Sequence, residues 1–183
     1  MVTIRPELLC QPNIIKPLHG LNPRTLLGQG RWDIERRKAY AKNSYCCMAC
    51  WIEKSKAPFH QWLEAHEVYD IDFDTHTYKL KEIVPLCHSC HMYIHDWLLS
   101  VLHNRWEVST TKYNRIMKHW ESILKKAKIQ NRGKLMMDMC KNDVSQWFPE
   151  ENWTRSDWGL EIDGKKYYTK FKTYWERSNF YNH

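Results

Sequence analysis

Between Thr110 and Lys128 the apolar residues Tyr113, Ile116, Met117, Trp120, Ile123, Leu124 and Ala127 recur three and four apart. That spacing predicts one amphipathic helix over 109–130, with Ser109 or Thr110 as its cap. Lys112, Arg115, Lys118, Lys125, Lys126 and Lys128 lie off the apolar stripe, so the outer face of this helix is basic. Upstream, FHQWLEAHEVY (59–69) and THTYKLKEIVPL (75–86) alternate imperfectly between apolar and polar positions and predict two short strands. The DIDFD segment between them predicts a compact acidic turn. From Cys90 the text HMYIHDWLLSVLHNRW reads as helix, and WDIERRKAYAK (32–42) as a basic helix leading to the first cysteines. Residues 1–30, rich in proline and glycine, predict an irregular arm that wraps the domain without forming its core. LEIDGKKYY, with a DG pair between short apolar runs, predicts a hairpin near the C-terminus.

The pattern divides the chain into a basic arm and helix (1–44), a central core (45–108), a basic amphipathic helix (109–141) and an aromatic-rich C-terminal segment (142–183). That last segment holds Trp147, Phe148, Trp153, Trp158, Phe171, Trp175 and Phe180. Aromatics interleaved with lysines can stack on bases, but such a cluster more often forms a satellite core or a protein contact. A protein partner is the expectation if it is a working surface.

Charge changes the picture more by its layout than by its sum. The net charge is +7, yet residues 45–99 carry −4, while 1–44 carry +5, 100–141 carry +7 and 142–183 carry −1. Basic flanks around an acidic centre suit a polyanion gripped on both sides; solvated basic helices are the plainer explanation. Arg36, Arg37, Lys112, Arg115, Lys118, Lys125 and Lys126 are the candidate phosphate contacts. No apolar run nears the length of a membrane span and the N-terminus lacks a signal-peptide pattern, which points to the reducing cytoplasm.

The cysteines carry the chemistry. Of seven, four form two C-x-x-C pairs, Cys47/Cys50 and Cys87/Cys90, enclosing 36 residues. Four thiolates complete a tetrahedral shell, so a structural Zn²⁺ is expected there. Cys46 is an alternative first ligand of less usual spacing, and Cys10 and Cys140 read as ordinary buried residues. In CHSCHMYIH (87–95), His91 and His95 stand four apart and can share a second ion. Its third ligand would come from His60, His66 or His76, and His66, flanked by carboxylates in LEAHEVYD, is best placed by context.

C-x-x-C, LEAHEVYD and EIVPLCHSCHMYIH, in that order, resemble the zinc-ribbon-supported HNH nucleases over about residues 45–96, most specifically at Leu86, Cys87, Cys90, His91 and His95. The resemblance implies an α+β fold built on a ββα-metal (His-Me finger) core stapled by the four-cysteine zinc, with flanking helices and a small aromatic-rich C-terminal appendage. It implies a metal-dependent endonuclease that hydrolyses phosphodiester bonds, acting on duplex DNA in preference to RNA, as small enzymes of this kind do in phages and mobile elements. His91 and His95 match the helical ligands of the catalytic ion (Mg²⁺, Mn²⁺, Ni²⁺ or Zn²⁺), and His66 the strand ligand. Two positions depart from the family: Glu67 stands at the general-base histidine and Glu82 at the asparagine that orients it. Either Glu67 is the base, or His66 is and Glu67 completes the metal shell. The departures also motivate an alternative: a catalytically retired HNH scaffold that binds nucleic acid or a host protein.

Overall fold

The two strands that frame the acidic segment pair as an antiparallel hairpin, β1 (Glu64–Asp72) and β2 (Thr77–Leu86). The computed structural model describes residues 4–12, 14, 18, 20–72, 74–139, 158–171, 173, 176 and 179–180. The first strand starts later than the alternation predicts and continues into the acidic stretch. Asp70 is held there by charge, opposite Lys79 and 2.9 Å from Lys81 Nζ. The turn is left to Asp72, whose Oδ1 accepts the backbone N–H groups of Asp74 and Thr75.

The hairpin serves two cores because of one extra residue. Val68 pairs with Glu82 but Tyr69 pairs with Leu80, leaving Lys81 as a β-bulge. A one-residue slip moves side chains to the opposite face. Accordingly Val84 and Leu86 join His66 and Val68 on one face, while Tyr78 and Leu80 join Tyr69 and Ile71 on the other. The larger core lies on the first face, with Leu8, Leu9, Cys10, Tyr93, Ile94, Leu99, Ile116 and Leu124.

The second core collects Leu18, Tyr78, Trp158, Leu160 and Ile162. It is closed by β3 (Gly159–Ile162), parallel to β2, and β4 (Lys165–Tyr168), antiparallel to β3. The sheet order is thus β1-β2-β3-β4. The DG hairpin is present, with positive φ at both Asp163 (51°) and Gly164 (78°), as a type I′ turn requires. The C-terminal aromatics are therefore not a separate appendage where they are described: Trp158 and Phe171 are buried, and β3 extends the sheet. Trp147, Phe148, Trp153, Trp175 and Cys140 lie outside the described residues.

The N-terminal segment is the larger correction. It contains a 3-10 turn at Pro6–Cys10 and helix α1 (Pro23–Leu27), and it supplies Leu8, Leu9 and Cys10 to the main core and Leu18 to the second. Proline and glycine content marks irregular backbone but says nothing about burial. Leu9 is fully buried, so Leu9→Ala is expected to destabilise the chain by about 2–5 kcal/mol, read as a lower urea midpoint at unchanged m-value. Helix α2 (Gln29–Lys42) follows and packs on β2.

Past the hairpin, the predicted helix from Cys90 is two helices, α3 (His88–Ile94) and α4 (Asp96–Asn104), meeting at His95, whose φ and ψ of −94° and 44° are not helical. Helix α5 (Thr110–Lys126) is capped by Ser109, which accepts from the Lys112 N–H at 3.3 Å, and Trp120 stacks on Tyr93 at 4.2 Å. Arg115, Lys118, Lys125 and Lys126 are exposed on it. Helix α6 (Arg132–Met139) lies against the N-terminal turn. No helix among the described residues is long and apolar enough to cross a membrane.

Candidate metal centres

Cys47 and Cys50 sit in a tight turn whose backbone is closed by Cys47 N–H to Ile52 O and Trp51 N–H to Cys47 O, with Trp51 at a positive φ of 63°. Cys87 ends β2's exit and Cys90 lies one turn into α3, where the His91 N–H reaches Cys87 O. The Met48 N–H donates to Pro85 O, which draws the two C-x-x-C segments together. All four sulfurs lie within 4.8 Å of one another and could hold a metal ion. Cys47, Cys87 and Cys90 are fully buried. Burial pushes the Cys47 thiol up, but hydrogen bonds from the other three more than reverse this; Cys87 and Cys90 are pushed up by sharing protons with Cys47 and Cys50, with burial adding to it. A cluster that already favours one thiolate is suited to exchanging the remaining protons for a dication. Cys46 is turned away, its Sγ toward Ser44 O, and takes no part.

His119 on α5 escaped the sequence reading. Its Nε2 lies 3.8 Å from Cys90 Sγ and 4.0 Å from Cys87 Sγ, where a ring N–H can support thiolate charge. Nothing in the local text marks it: it is one polar residue on a lysine-rich helix.

The second group is formed by His66 from β1, His91 from α3 and His95 at the junction of α3 and α4, with ligand atoms within 4.8 Å of one another. Their ring centroids are 4.9–5.3 Å apart in edge-to-face arrangements. His66 is 4% exposed. Burial, with the positive character of His91 and His95 added, holds its pKa well below the usual imidazole value, so the ring is neutral and able to donate a lone pair. One of its nitrogens, Nδ1, is buried without a hydrogen-bond partner. Three converging imidazoles with an orphaned ring nitrogen fit a divalent ion.

Glu64, next but one to His66, was visible only as a flanking carboxylate and proves to be a hub. Its Oε2 engages His91 Nδ1, while Oε1 lies 2.8 Å from His88 Nδ1 and 2.9 Å from His60 Nε2. A carboxylate on Nδ1 fixes the His91 tautomer and leaves Nε2 to act as ligand. Burial alone would push the Glu64 carboxyl up, but the His88 and His91 hydrogen bonds outweigh it and hold it well below the usual range.

Glu67 lines a cavity of about 350 Å³ together with His66, His95, Tyr69 and the arm residues Gln11, Pro12 and Ile14. Gln11 reaches in from the arm, its Nε2 donating to Glu67 O at 2.9 Å and lying 3.3 Å from His66 Nε2. Burial raises the Glu67 carboxyl, partly offset by a hydrogen bond to its own backbone and by His91. Glu82 is not brought to this cavity. Its carboxylate takes the Arg5 guanidinium, and it lines a separate cavity with Arg31, Glu35 and Lys38. His76, the remaining candidate ligand, stacks on Trp158 at 5.1 Å instead.

The candidate phosphate contacts occupy two helices. Arg37 is exposed on α2, whereas Arg36 is half-buried and tied to Asp33 at 2.6 Å. On α5, Lys112 and Arg115 lie over the Phe59 ring at 5.4 and 4.9 Å, and Phe59 meets the edge of His88 at 5.6 Å. The N-terminal half of α5 thus brings positive charge beside Phe59 and, at the start of α3, His88. No protein-family model, curated protein or solved structure matches the chain.

Proposed function

We propose that the chain is a metal-dependent endonuclease of the HNH type that hydrolyses phosphodiester bonds in DNA. The observation that carries this reading is the convergence of His66, His91 and His95 on one point, with His91 oriented by Glu64 and a half-buried carboxylate, Glu67, lining the adjoining cavity. A hairpin followed by a helix supplies these residues, consistent with a ββα-metal finger. The four cysteines suit a structural zinc: the 3.8 Å between Cys50 Sγ and Cys87 Sγ equals the edge, about 3.8 Å, of a tetrahedron with ~2.3 Å Zn–S bonds. His66, His91 and His95 would hold the catalytic ion, and three imidazoles favour zinc or nickel over magnesium. Bound there, the ion supplies Lewis-acid stabilisation of charge building on the scissile phosphate.

The remaining work falls to this chain's own groups. Glu67 is the better candidate base, because His66 has its lone pair committed to the metal group and burial moves the Glu67 carboxyl toward neutral pH. Arg115, Lys118 and Lys112 neutralise backbone phosphates beside the hairpin. Glu82, held by Arg5, has no role in this scheme. Its engagement there is also the one observation that favours the second reading, a retired HNH scaffold that binds nucleic acid or a protein partner, since the base then lacks the family's orienting residue.

A carboxylate base works deprotonated, so wild-type cleavage is expected to fall as pH drops through the raised Glu67 value. Glu67→Gln should lower the rate about 10²–10⁴-fold and remove that acidic limb from the pH profile. An unchanged rate and profile would exclude Glu67 as the base.

A further inference from the structure

We infer that His60, Glu64 and His88 form a further metal site, one that takes a zinc-class divalent ion and is distinct from both the thiolate group and the His66/His91/His95 group. It stands on its own geometry and does not depend on the nuclease reading. One ligand atom from each of His60, Glu64 and His88 lies within 4.8 Å of the others, and Glu64 Oε1 is within hydrogen-bond distance of both His60 Nε2 and His88 Nδ1. Two imidazoles and a carboxylate are a donor set of catalytic and accessory zinc sites, with a fourth position left for water. The three side chains are 13%, 22% and 14% exposed, so the group is sheltered but open to an ion from solvent.

The surroundings hold the ligands in place. Trp62 lies flat on His60, ring centroids 3.6 Å apart and planes 2° from parallel, and Phe59 meets the edge of His88. The His60 and His88 rings meet edge to face, with centroids 4.7 Å apart. The far nitrogens, His60 Nδ1 and His88 Nε2, are buried without partners, so only the nitrogens turned toward Glu64 are directed to a common point. The N···O separations of 2.8 and 2.9 Å are about half an ångström shorter than the ~3.3 Å edge of a tetrahedral shell with 2.0–2.1 Å bonds. An entering ion would take the lone pairs of these two nitrogens, each ring's proton moving to its far nitrogen, and would open the group slightly.

The carboxylate gives this site a consequence for its neighbour. Oε1 serves His60 and His88 while Oε2 holds His91. An ion on Oε1 draws charge away from Oε2 and weakens its hold on the His91 ring.

The test is a count of Zn²⁺ bound per folded chain, by native mass spectrometry and calorimetric titration at micromolar free metal. It is made in a His91→Ala/His95→Ala background that removes the neighbouring site. Two ions are expected, one on the cysteines and one here, the second lost on His88→Asn and likewise on His60→Gln, with the cysteine-bound ion retained as the folding control. The His60→Gln variant decides the matter should His88→Asn not fold. One ion in the background chain, or two that persist when both His60 and His88 are replaced, would overturn the inference.

Discussion

Cys90→Ser is expected to unfold most of the chain, and chelation of the wild type to do the same. Cys90 is fully buried, one turn into α3, and is one of four sulfurs that together hold the Cys47–Cys50 turn against the end of the hairpin. Structural zinc sites contribute roughly 10–16 kcal/mol of apparent binding free energy, comparable to or larger than the ~5–15 kcal/mol net stability of an ordinary domain. Around the cysteines lie Leu8, Leu9, Leu86, Tyr93, Ile94 and Leu99, from four separate segments of the larger core. Loss of the staple therefore releases long-range packing as well as a loop. Circular dichroism with zinc release followed by a colorimetric chelator is the check. Cooperative unfolding coincident with release of the cysteine-bound ion is the expected result, and native-like melting of Cys90→Ser would refute it.

His91→Ala/His95→Ala is expected to do the opposite, abolishing DNA cleavage while leaving the fold intact. Neither residue is among the fully buried core side chains, and the thiolate group is complete without them. If the ion they hold supplies roughly 4 kcal/mol of transition-state stabilisation, its loss corresponds to about a thousandfold in rate. Melting temperature and a nicking assay on the same preparation separate the two effects. A variant that melts early has lost structure, whereas one that melts normally and does not cut has lost the site.

How much of this was legible in the sequence differs by residue type. Both C-x-x-C pairs, the α5 stripe and the DG hairpin were readable because each is local: a turn, a 3.6-residue period, two positive-φ positions. His66, His91 and His95 were readable because two stand four apart in the sequence and the third sits between carboxylates. The bulge at Lys81 was not, since an added residue shows only against the partner strand. The same holds for His119, Gln11 and the Glu64 hub, whose roles come from contacts across 29 to 55 positions of chain or between a strand and a helix. The arm's contribution to both cores was hidden by its prolines. Glu82, aligned by resemblance, is taken instead by Arg5, a residue 77 positions away.

The nuclease reading rests most directly on one measurement. Wild type and His91→Ala/His95→Ala, both with the thiolate group loaded, are incubated with supercoiled plasmid and a pool of long random-sequence duplexes, with and without Mg²⁺, Mn²⁺, Ni²⁺ or Zn²⁺. Nicked or linear products are expected from the wild type only when an added ion is present, and none from the variant. Intact DNA with every ion from a folded wild-type chain, or equal cleavage by the variant, would contradict the nuclease reading.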